Sequence, residues 1–159
     1  MSHPNAERVA EAARALGLDI EIREFPEGTR TAGDAAAAIG VEVGQIVKSL
    51  VFSVDDEVVV ALVSGPNRLD ETKLAEVAGG SEVGRVGADA VRAATGYPIG
   101  GVPPVGHAAE LRVFCDADLC DYDVVWAAAG TPRHVFSVGP EDLVGATGAV
   151  VCDLAVDGD

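Results

Sequence analysis

The stretch GQIVKSLVFSVDDEVVVALVSG, residues 44–65, contains two apolar runs separated by the acidic residues 55–57. The first run, residues 44–54, is rich in Val, Leu, Ile and Phe and predicts a β-strand. The second run, residues 58–65, predicts another. Polar residues between two such runs favour a turn, so the pair is predicted to form a hairpin. A lysine, Lys48, lies in the middle of the first strand.

Lys48 has two interpretations. It is one of only two lysines in the chain, the other being Lys73. In the first interpretation, Lys48 lies at a sheet edge or extends its ammonium group from a buried strand to water. In the second, it is a single fixed cation that lines a pocket and binds a phosphate. The strand by itself leaves both open.

Composition predicts one acidic domain with an aliphatic core. The chain has 159 residues, of which 48% are hydrophobic and 4% aromatic, which is enough for a single domain over residues 1–159. Net charge is −15, from 26 acidic and 11 basic residues. Domains that grip a long phosphate backbone are usually basic. A nucleic-acid partner would therefore be contacted over a small area or delivered by another protein.

No segment predicts a membrane span or an export signal. Charges or glycines interrupt every apolar run before it reaches 18 residues, and the first 17 residues lack the apolar centre of a signal peptide. Three cysteines are an odd number and too few for a disulfide scaffold. We therefore expect no membrane partner and a reducing, cytoplasmic location.

Periodicity and capping residues predict the remaining elements. Helices are expected at residues 5–16, 32–39 after a Thr31 cap, from Asp70 to about 78, 87–95 and 140–146. Further strands are expected at 18–25, about 83–86, 111–115, 122–128, 134–138 and 149–155. Because strands outnumber helices and often follow one another, we expect an α/β (α+β-like) fold. In this single domain a mixed, strongly curved β-sheet would enclose the core, with helices outside.

Common catalytic and cofactor motifs are absent from the sequence. It contains no G-x-x-x-x-G-K-[ST] or G-x-G-x-x-G, and Ser64 lacks the G-x-S-x-G of a nucleophile elbow. Cys115 and Cys120, with His107 and His134, do not have the paired spacing of a zinc site. We therefore expect no metal and no cofactor, and interpret the cysteines as structural thiols.

The segment GYPIGGVPPVGH, residues 96–107, has no helical or strand periodicity and contains four glycines and three prolines. We call it the Gly-Pro loop. Proline stiffens a backbone, and glycine allows a ligand to approach it closely, so such a loop can present fixed N–H groups to a carbonyl or an oxyanion. An ordinary structural turn is the alternative.

Four segments together resemble the YbaK/EbsC family, the free-standing relatives of the editing domain of bacterial prolyl-tRNA synthetases. They are GQIVKSLVF (44–52), ALVSGPNRLDETKLAE (61–76), the Gly-Pro loop and VGPEDLVGATGA (138–149). The resemblance runs from about residue 30 to 155. It implies the YbaK/ProRS-editing-domain fold and hydrolysis of the ester that joins a wrong amino acid to tRNA.

The resemblance also implies roles for individual residues. Lys48 would hold the phosphate near the terminal adenosine, and the Gly-x-x-x-Pro motif at residues 100–104 would bind and orient the aminoacyl group. Lys48 and Gly101 are therefore the expected catalytic residues. The expected substrate-binding residues are Ser49, which matches a small hydroxyl residue after the lysine, and Gly100, Val102, Pro103, Pro104 and His107.

One departure from the family pattern affects substrate identity. The branch that removes cysteine from proline tRNA is expected to carry a Ser-Gly-Gly-basic run before the last helix, whereas this chain has AAGTP at residues 128–132. Cysteine, alanine and a small non-protein amino acid all remain open. A trans-acting deacylase of mischarged tRNA-Pro and a non-catalytic module that binds aminoacyl-tRNA or a synthetase are the two functional hypotheses. Expected partners are the tRNA acceptor end and prolyl-tRNA synthetase.

Overall fold

The computed structural model describes residues 3–25 and 31–157; residue 30, where the family resemblance begins, lies outside them. The α-helices of this part are α1 (Pro4–Ala15), α2 (Ala32–Ile39), α3 (Glu71–Ala78), α4 (Ala88–Thr95) and α5 (Pro140–Thr147). The β-strands are β1 (Ile22–Glu24), β2 (Val47–Val54), β3 (Glu57–Ser64), β4 (Val83–Arg85), β5 (Arg112–Asp116), β6 (Val125–Ala128), β7 (His134–Val138) and β8 (Val150–Cys152). Short 3₁₀ segments occupy Val43–Gln45 and Ala117–Asp121. None of the described helices is long and apolar enough to cross a membrane.

The predicted hairpin forms between β2 and β3. Its turn residues Asp55 and Asp56 both have positive φ, 48° and 70°, as a two-residue turn matched to the twist of its strands requires. The Asp55 carboxylate accepts hydrogen bonds from the backbone N–H groups of Ser81 and Glu82. This contact joins the turn to the start of β4.

The strands divide between two sheets. A five-stranded sheet has the order β4-β2-β3-β5-β8, with β2 antiparallel to both neighbours and β5 parallel to β3 and β8. A three-stranded antiparallel sheet has the order β1-β7-β6. An isolated bridge between Ile46 and Trp126 joins the two. The predicted mixed α/β fold with surrounding helices is confirmed, and its strands form two sheets.

Two apolar clusters explain why the central strand β3 is buried along residues 59–64. The larger cluster lies between the sheets and includes Leu62 of β3, Phe136 of β7 and Val9 of α1. The smaller cluster covers the other face of the five-stranded sheet, where Leu74 of α3 packs. A strand covered on both faces has a near-continuous apolar sequence, as residues 58–63 do.

Several strands are shorter than the sequence predicted. The strand expected at 122–128 begins only at Val125, and a 3₁₀ segment that starts at Ala117 precedes it. The Asp116 carboxylate accepts a hydrogen bond from the Asp118 N–H at the start of that segment, a local contact that competes with an extended backbone. The strands expected at 18–25 and 149–155 extend only over 22–24 and 150–152. They form ladders only where β7 and β5 pair with them.

The edge of β2 that faces away from β3 is only partly paired. Among the described strands, β4 pairs with residues 52–54 of this edge, and the bridge to β6 is made by Ile46, just before β2 begins. Residues 47–51 are left between these contacts with an open edge. This opening, flanked by α2 and β6, positions the site described next.

Candidate functional site

A pocket of about 570 Å³ opens at the uncovered edge of β2. Ligand pockets commonly fall within about 300–1,000 Å³. Its walls come from the start of α2, from β2 and the residue before it, from the Gly-Pro loop and from β6 and β7. The lining residues are Thr31, Ala32, Gly33, Ala35, Val43, Ile46, Val47, Lys48, Ser49, Leu50, Gly65, Ile99, Gly100, Val102, Trp126, Ala127, Ala128 and Val135. Four of the predicted site residues therefore line one cavity, namely Lys48, Ser49, Gly100 and Val102.

Lys48 is half-buried, and its Nζ donates a hydrogen bond of 2.6 Å to the Asn67 carbonyl oxygen. Burial lowers the pKa of the Lys48 ammonium group below its ordinary value, and the charge of Asp116 opposes this shift. Lys48 thus lies on the open edge of β2, and its ammonium group is held there by a protein carbonyl. It presents a localised cation at the wall of the pocket.

A polar network that the sequence did not predict supports Lys48. Asn67 Nδ2 donates to Asp116 Oδ2 at 2.8 Å and to Asp118 Oδ2 at 2.7 Å. Asp116 is 1% exposed, so its carboxylate depends on such donors. The signal in the sequence was Asn67 in the Gly-Pro-Asn turn, but the two aspartates lie about 50 residues further along, and only the fold brings them together.

Ser49 and Trp126 each place a polar atom that has no partner among the described residues. Side chains alternate along a strand, so Ser49 leaves β2 on the face opposite Lys48, and both reach the pocket because it lies at the strand's edge. Ser49 Oγ and Trp126 Nε1 are buried and have no hydrogen-bond partner among residues 3–25 and 31–157. Trp126 was not among the predicted site residues, although it is the only tryptophan in the chain.

The Gly-Pro loop begins with a tight turn. Gly101 N–H donates to the Pro98 carbonyl at 2.9 Å, and Gly100 between them has a φ of +88°, as the third residue of a type II turn requires. The Gly101 carbonyl accepts from Gly130 N–H at 2.9 Å. A Cβ on Gly101 would come within 2.7 Å of Thr131 Cα, so glycine is needed there for contact with the neighbouring turn.

These contacts change which loop amides are available. Both backbone groups of Gly101 are engaged inside the protein, and Gly101 does not line the pocket. The N–H groups of Gly100 and Val102 on either side make no hydrogen bond with other described residues. Ile99, Gly100 and Val102 are the loop residues that line the pocket, and none of their N–H groups bonds another described residue.

Pro103, Pro104 and His107 lie behind the loop and not at the pocket wall. Both prolines are buried. His107 Nε2 lies 2.7 Å from the Pro103 carbonyl oxygen, which can only accept, so Nε2 carries the proton. Burial lowers the pKa of His107, so the ring is neutral at pH 7. The three residues stiffen the loop from its far side, and none of them lines the cavity.

Helix α1 fastens the loop from outside. Arg8 Nη2 donates to the Gly96 carbonyl at 3.0 Å, and the Arg8 guanidinium lies 4.6 Å from the centre of the Tyr97 ring. Asn5 Nδ2 donates to the Gly130 carbonyl at 3.0 Å. Since Gly130 also bonds Gly101, α1 holds both turns that border the site.

The region that departs from the family pattern has its hydroxyl turned inward. Thr131 Oγ1 and His134 Nδ1 share a hydrogen bond of 2.6 Å, and His134 Nε2 lies 3.8 Å from a Glu24 carboxylate oxygen. Thr131 is 8% exposed and does not line the pocket, whereas Ala128 does. In this region the pocket wall is therefore a methyl group and not a hydroxyl.

None of the three cysteines lines the pocket, and only Cys115 is buried, whereas Cys120 is exposed and Cys152 is half-buried. Cys115 is 1% exposed, and its burial raises the pKa of the thiol to about 12, so it is not a thiolate at neutral pH. All three cysteines are free. Within residues 3–25 and 31–157, no three His, Cys, Asp or Glu side chains come together as a metal site.

Comparisons with known proteins match this geometry to a family. The family model described as "Aminoacyl-tRNA editing domain" matches residues 26–146. A proposed trans-editing enzyme for prolyl-tRNA synthetase, known from a crystal structure, is 46% identical. The match covers 98% of this chain and 99% of that one, with a TM-score of 0.93.

Two curated relatives extend the comparison. The proline–tRNA ligase of Desulforamulus reducens is 33% identical over 134 residues, which are 80% of this chain and 23% of the ligase. YwhH of Bacillus subtilis is 30% identical over 124 residues, 77% of this chain and 78% of YwhH. The chain spans about a sixth to a quarter of the ligases it matches. The chain therefore belongs to the aminoacyl-tRNA editing domain family, as its resemblance to the YbaK/EbsC proteins predicted.

Proposed function

We propose that the protein is a trans-acting deacylase that hydrolyses the ester bond of a mischarged aminoacyl-tRNA. The substrate would be tRNA-Pro that carries alanine, cysteine or a similarly small amino acid. The observation that carries this proposal is the half-buried Lys48 at the wall of a pocket shared with the Gly100 and Val102 amides. Membership of the editing family and the likeness to a proposed trans-editing enzyme for prolyl-tRNA synthetase support it.

In this proposal Lys48 binds the phosphate next to the terminal adenosine. An ammonium group held at one place suits an acidic protein, because the charge of −15 disfavours broad contact with tRNA. Lowering of the Lys48 pKa by burial also makes a phosphate a favourable partner, since an anion compensates for the water lost around the cation.

The ester supplies most of the reactivity. Its carbonyl is already activated, so a water molecule, or the thiol of a cysteinyl substrate, can attack without a side-chain nucleophile. As the tetrahedral intermediate forms, negative charge develops on the carbonyl oxygen. The N–H groups of Gly100 and Val102 would donate to that oxygen. The turn at Gly101 and the contacts of α1 would keep them in place.

In this proposal the apolar walls of the pocket receive a small amino acid. Ala127, Ala128, Val102 and Val135 are apolar and line the cavity. A single methylene changes selection by only about 1–3 kcal/mol, so a synthetase for proline benefits from a second site that removes smaller amino acids. Prolyl-tRNA synthetase is therefore the proposed source of the substrate.

The test compares the chain's two lysines. Lys48→Ala should lower kcat/KM for alanyl- and cysteinyl-tRNA-Pro by roughly 10- to 150-fold, the equivalent of a hydrogen bond to a charged group. Lys73 forms ion pairs with Asp153 and Asp157 on another part of the surface, so Lys73→Ala is the matched control and should retain activity. Release of amino acid is followed over time with purified protein.

Two results would contradict the proposal. Equal rates for wild type and Lys48→Ala would remove the role of Lys48. No release from any small aminoacyl-tRNA, with tight tRNA retention in a filter-binding assay, would instead favour a non-catalytic binding module.

A further inference from the structure

Two polar atoms of pocket-lining residues have no partner among the described residues. Trp126 Nε1 and Ser49 Oγ are buried and have no hydrogen-bond partner in the described part of the chain. Buried polar groups in native proteins are almost always paired, and an unpaired one destabilises the fold. Both residues line the pocket beside Lys48, so a bound ligand is the natural source of their partners.

The indole of Trp126 is held in a defined orientation. The backbone of Trp126 bridges to Ile46, and its ring packs against the cluster formed by Ile46 and the α2 residues Ala35 and Ala36. The Arg23 guanidinium lies 5.5 Å from the ring centre, within the range of a cation–π contact. These contacts hold the indole of Trp126 in place at the pocket wall.

The chemistry of the two groups restricts what they bind. An indole N–H can only donate, whereas a serine hydroxyl can donate or accept. The ligand must therefore bring an oxygen acceptor to Trp126. If the proposed function holds, the side chain of alanine has no acceptor and that of cysteine has only a weak one. The acceptors present in every substrate are the ester carbonyl and the oxygens of the terminal ribose.

We propose that Trp126 Nε1 donates a hydrogen bond to an oxygen of the ester–ribose unit, with the Ser49 hydroxyl bound to the same unit. The pair thus recognises the aminoacylated ribose that all aminoacyl-tRNAs share, while the apolar wall selects the amino acid. This inference rests on the proposed function and extends it to two positioning contacts.

A stability measurement distinguishes this role from simple packing. An unpaired donor destabilises the free protein, so its removal without a change of shape should leave the melting temperature unchanged or raise it. The same removal should weaken catalysis, because the substrate loses a hydrogen bond. For a residue needed only for packing, the same removal would not lower kcat/KM while leaving the melting temperature unchanged or higher.

The single tryptophan makes a clean variant available. Incorporation of benzothienylalanine in place of tryptophan changes only position 126, keeps the bicyclic ring and removes the N–H. We expect kcat/KM to fall about fivefold or more, equally for alanyl- and seryl-tRNA-Pro, with no fall in melting temperature. Ser49→Ala should show the same pattern.

A loss confined to the seryl substrate would overturn the inference, because it would assign Trp126 to the amino acid side chain. Unchanged kcat/KM, or a lower melting temperature with unchanged kcat/KM, would overturn it as well. Binding is followed separately through Trp126 fluorescence, with 3′-alanylamino-3′-deoxyadenosine as a probe that resists hydrolysis.

The probe distinguishes a failure of this inference from a failure of the proposed deacylase activity. Binding that the benzothienyl variant weakens, in a wild-type protein that hydrolyses no tRNA, would support this inference and overturn the proposed deacylase activity. Affinity for the probe equal in Ser49→Ala and wild type would overturn the role of Ser49. For the benzothienyl variant, which lacks the indole signal, affinity is measured by calorimetry.

Discussion

Lys48 keeps its position through the Asn67 carbonyl in the turn after β3 and the Asp116 carboxylate at the end of β5. The Asn67 carbonyl accepts from its ammonium group, and the Asn67 amide donates to the buried Asp116. The lysine therefore depends on the conformation of the turn after β3, which the aspartates hold through Asn67. The network places a positive charge in the pocket although burial alone lowers the pKa of Lys48.

This arrangement makes Asn67 a positioning residue. Asn67→Ala should lower the free energy of unfolding by about 1–3 kcal/mol, because Asp116 stays buried without this donor. It should also raise KM more than it lowers kcat, since Lys48 binds the tRNA phosphate in the proposed function. Urea unfolding and steady-state deacylation measure the two effects.

Asp118→Ala is the matched control for that variant. Asp118 accepts from the same Asn67 amide, but it is exposed. Its removal should therefore change stability by only about 0.5 kcal/mol. Equal destabilisation by both variants would contradict a special role for the buried Asp116 contact.

At the scale of elements, α1 decides the position of the Gly-Pro loop. It contacts the loop through Arg8 at Gly96 and through Ala12 at Gly106, and it reaches the neighbouring turn through Asn5 at Gly130. The family model begins at residue 26, so this helix lies outside the matched region. The loop that carries the proposed oxyanion donors is thus held by a helix that lies far from it in the sequence.

Gly106→Ala should separate α1 from the loop. A Cβ at this position would lie 2.6 Å from the Ala12 Cβ, and the φ of Gly106 is +75°. Overpacking and the left-handed backbone should together lower the free energy of unfolding by about 2–5 kcal/mol. Chemical unfolding measures the change, and kcat/KM should fall with it.

Gly17→Ala isolates the backbone contribution. Gly17 has a φ of +83° and nothing within 4 Å of a Cβ, so this variant should lose only about 1–2 kcal/mol. The double variant Gly106→Ala, Ala12→Gly should recover part of the difference. Additive losses, with no coupling between the two positions, would show that α1 does not pack against Gly106.

Helix ends were predictable because the groups that cap them are local. Thr31 and Asp70 accept hydrogen bonds from N–H groups two or three residues away, and Gly40 and Gly96 end their helices in the left-handed conformation. Strand lengths were not predictable in this way. The strand at 18–25 pairs only along residues 22–24, and that limit depends on β7, over 100 residues away.

At the scale of the whole molecule, the strong negative charge determines how tRNA can approach. With 26 acidic and 11 basic residues, the protein repels a polyanion over most of its surface. Productive binding then depends on a few contacts at the pocket. This favours recognition of the aminoacylated end over recognition of the tRNA body.

The salt dependence of kcat/KM tests whether tRNA is contacted at only a few phosphates. A plot of log(kcat/KM) against log[NaCl] should have a slope of about −1 to −2, since each phosphate contact with a single strand contributes about −0.7. Lys48→Ala should make the slope shallower by about 0.7, and Lys73→Ala should leave it unchanged. A slope near −6 would indicate extensive backbone contact and contradict this mode of binding.

The sequence by itself determined the hairpin at 44–65, the positions of the helices, the fold class and the family. These features depend on hydrophobic periodicity, capping residues and motifs, all of which act over short distances along the chain. Only the tertiary structure decided that the strands form two sheets with a pocket at their junction. It also decided that Asn67 and Asp116 support Lys48 and that Trp126 lines the site. Among the described residues, the Gly100 and Val102 amides have no partner while Gly101 is engaged. The physical reason is that burial and hydrogen-bond partners depend on contacts between residues far apart in sequence, which no local pattern contains.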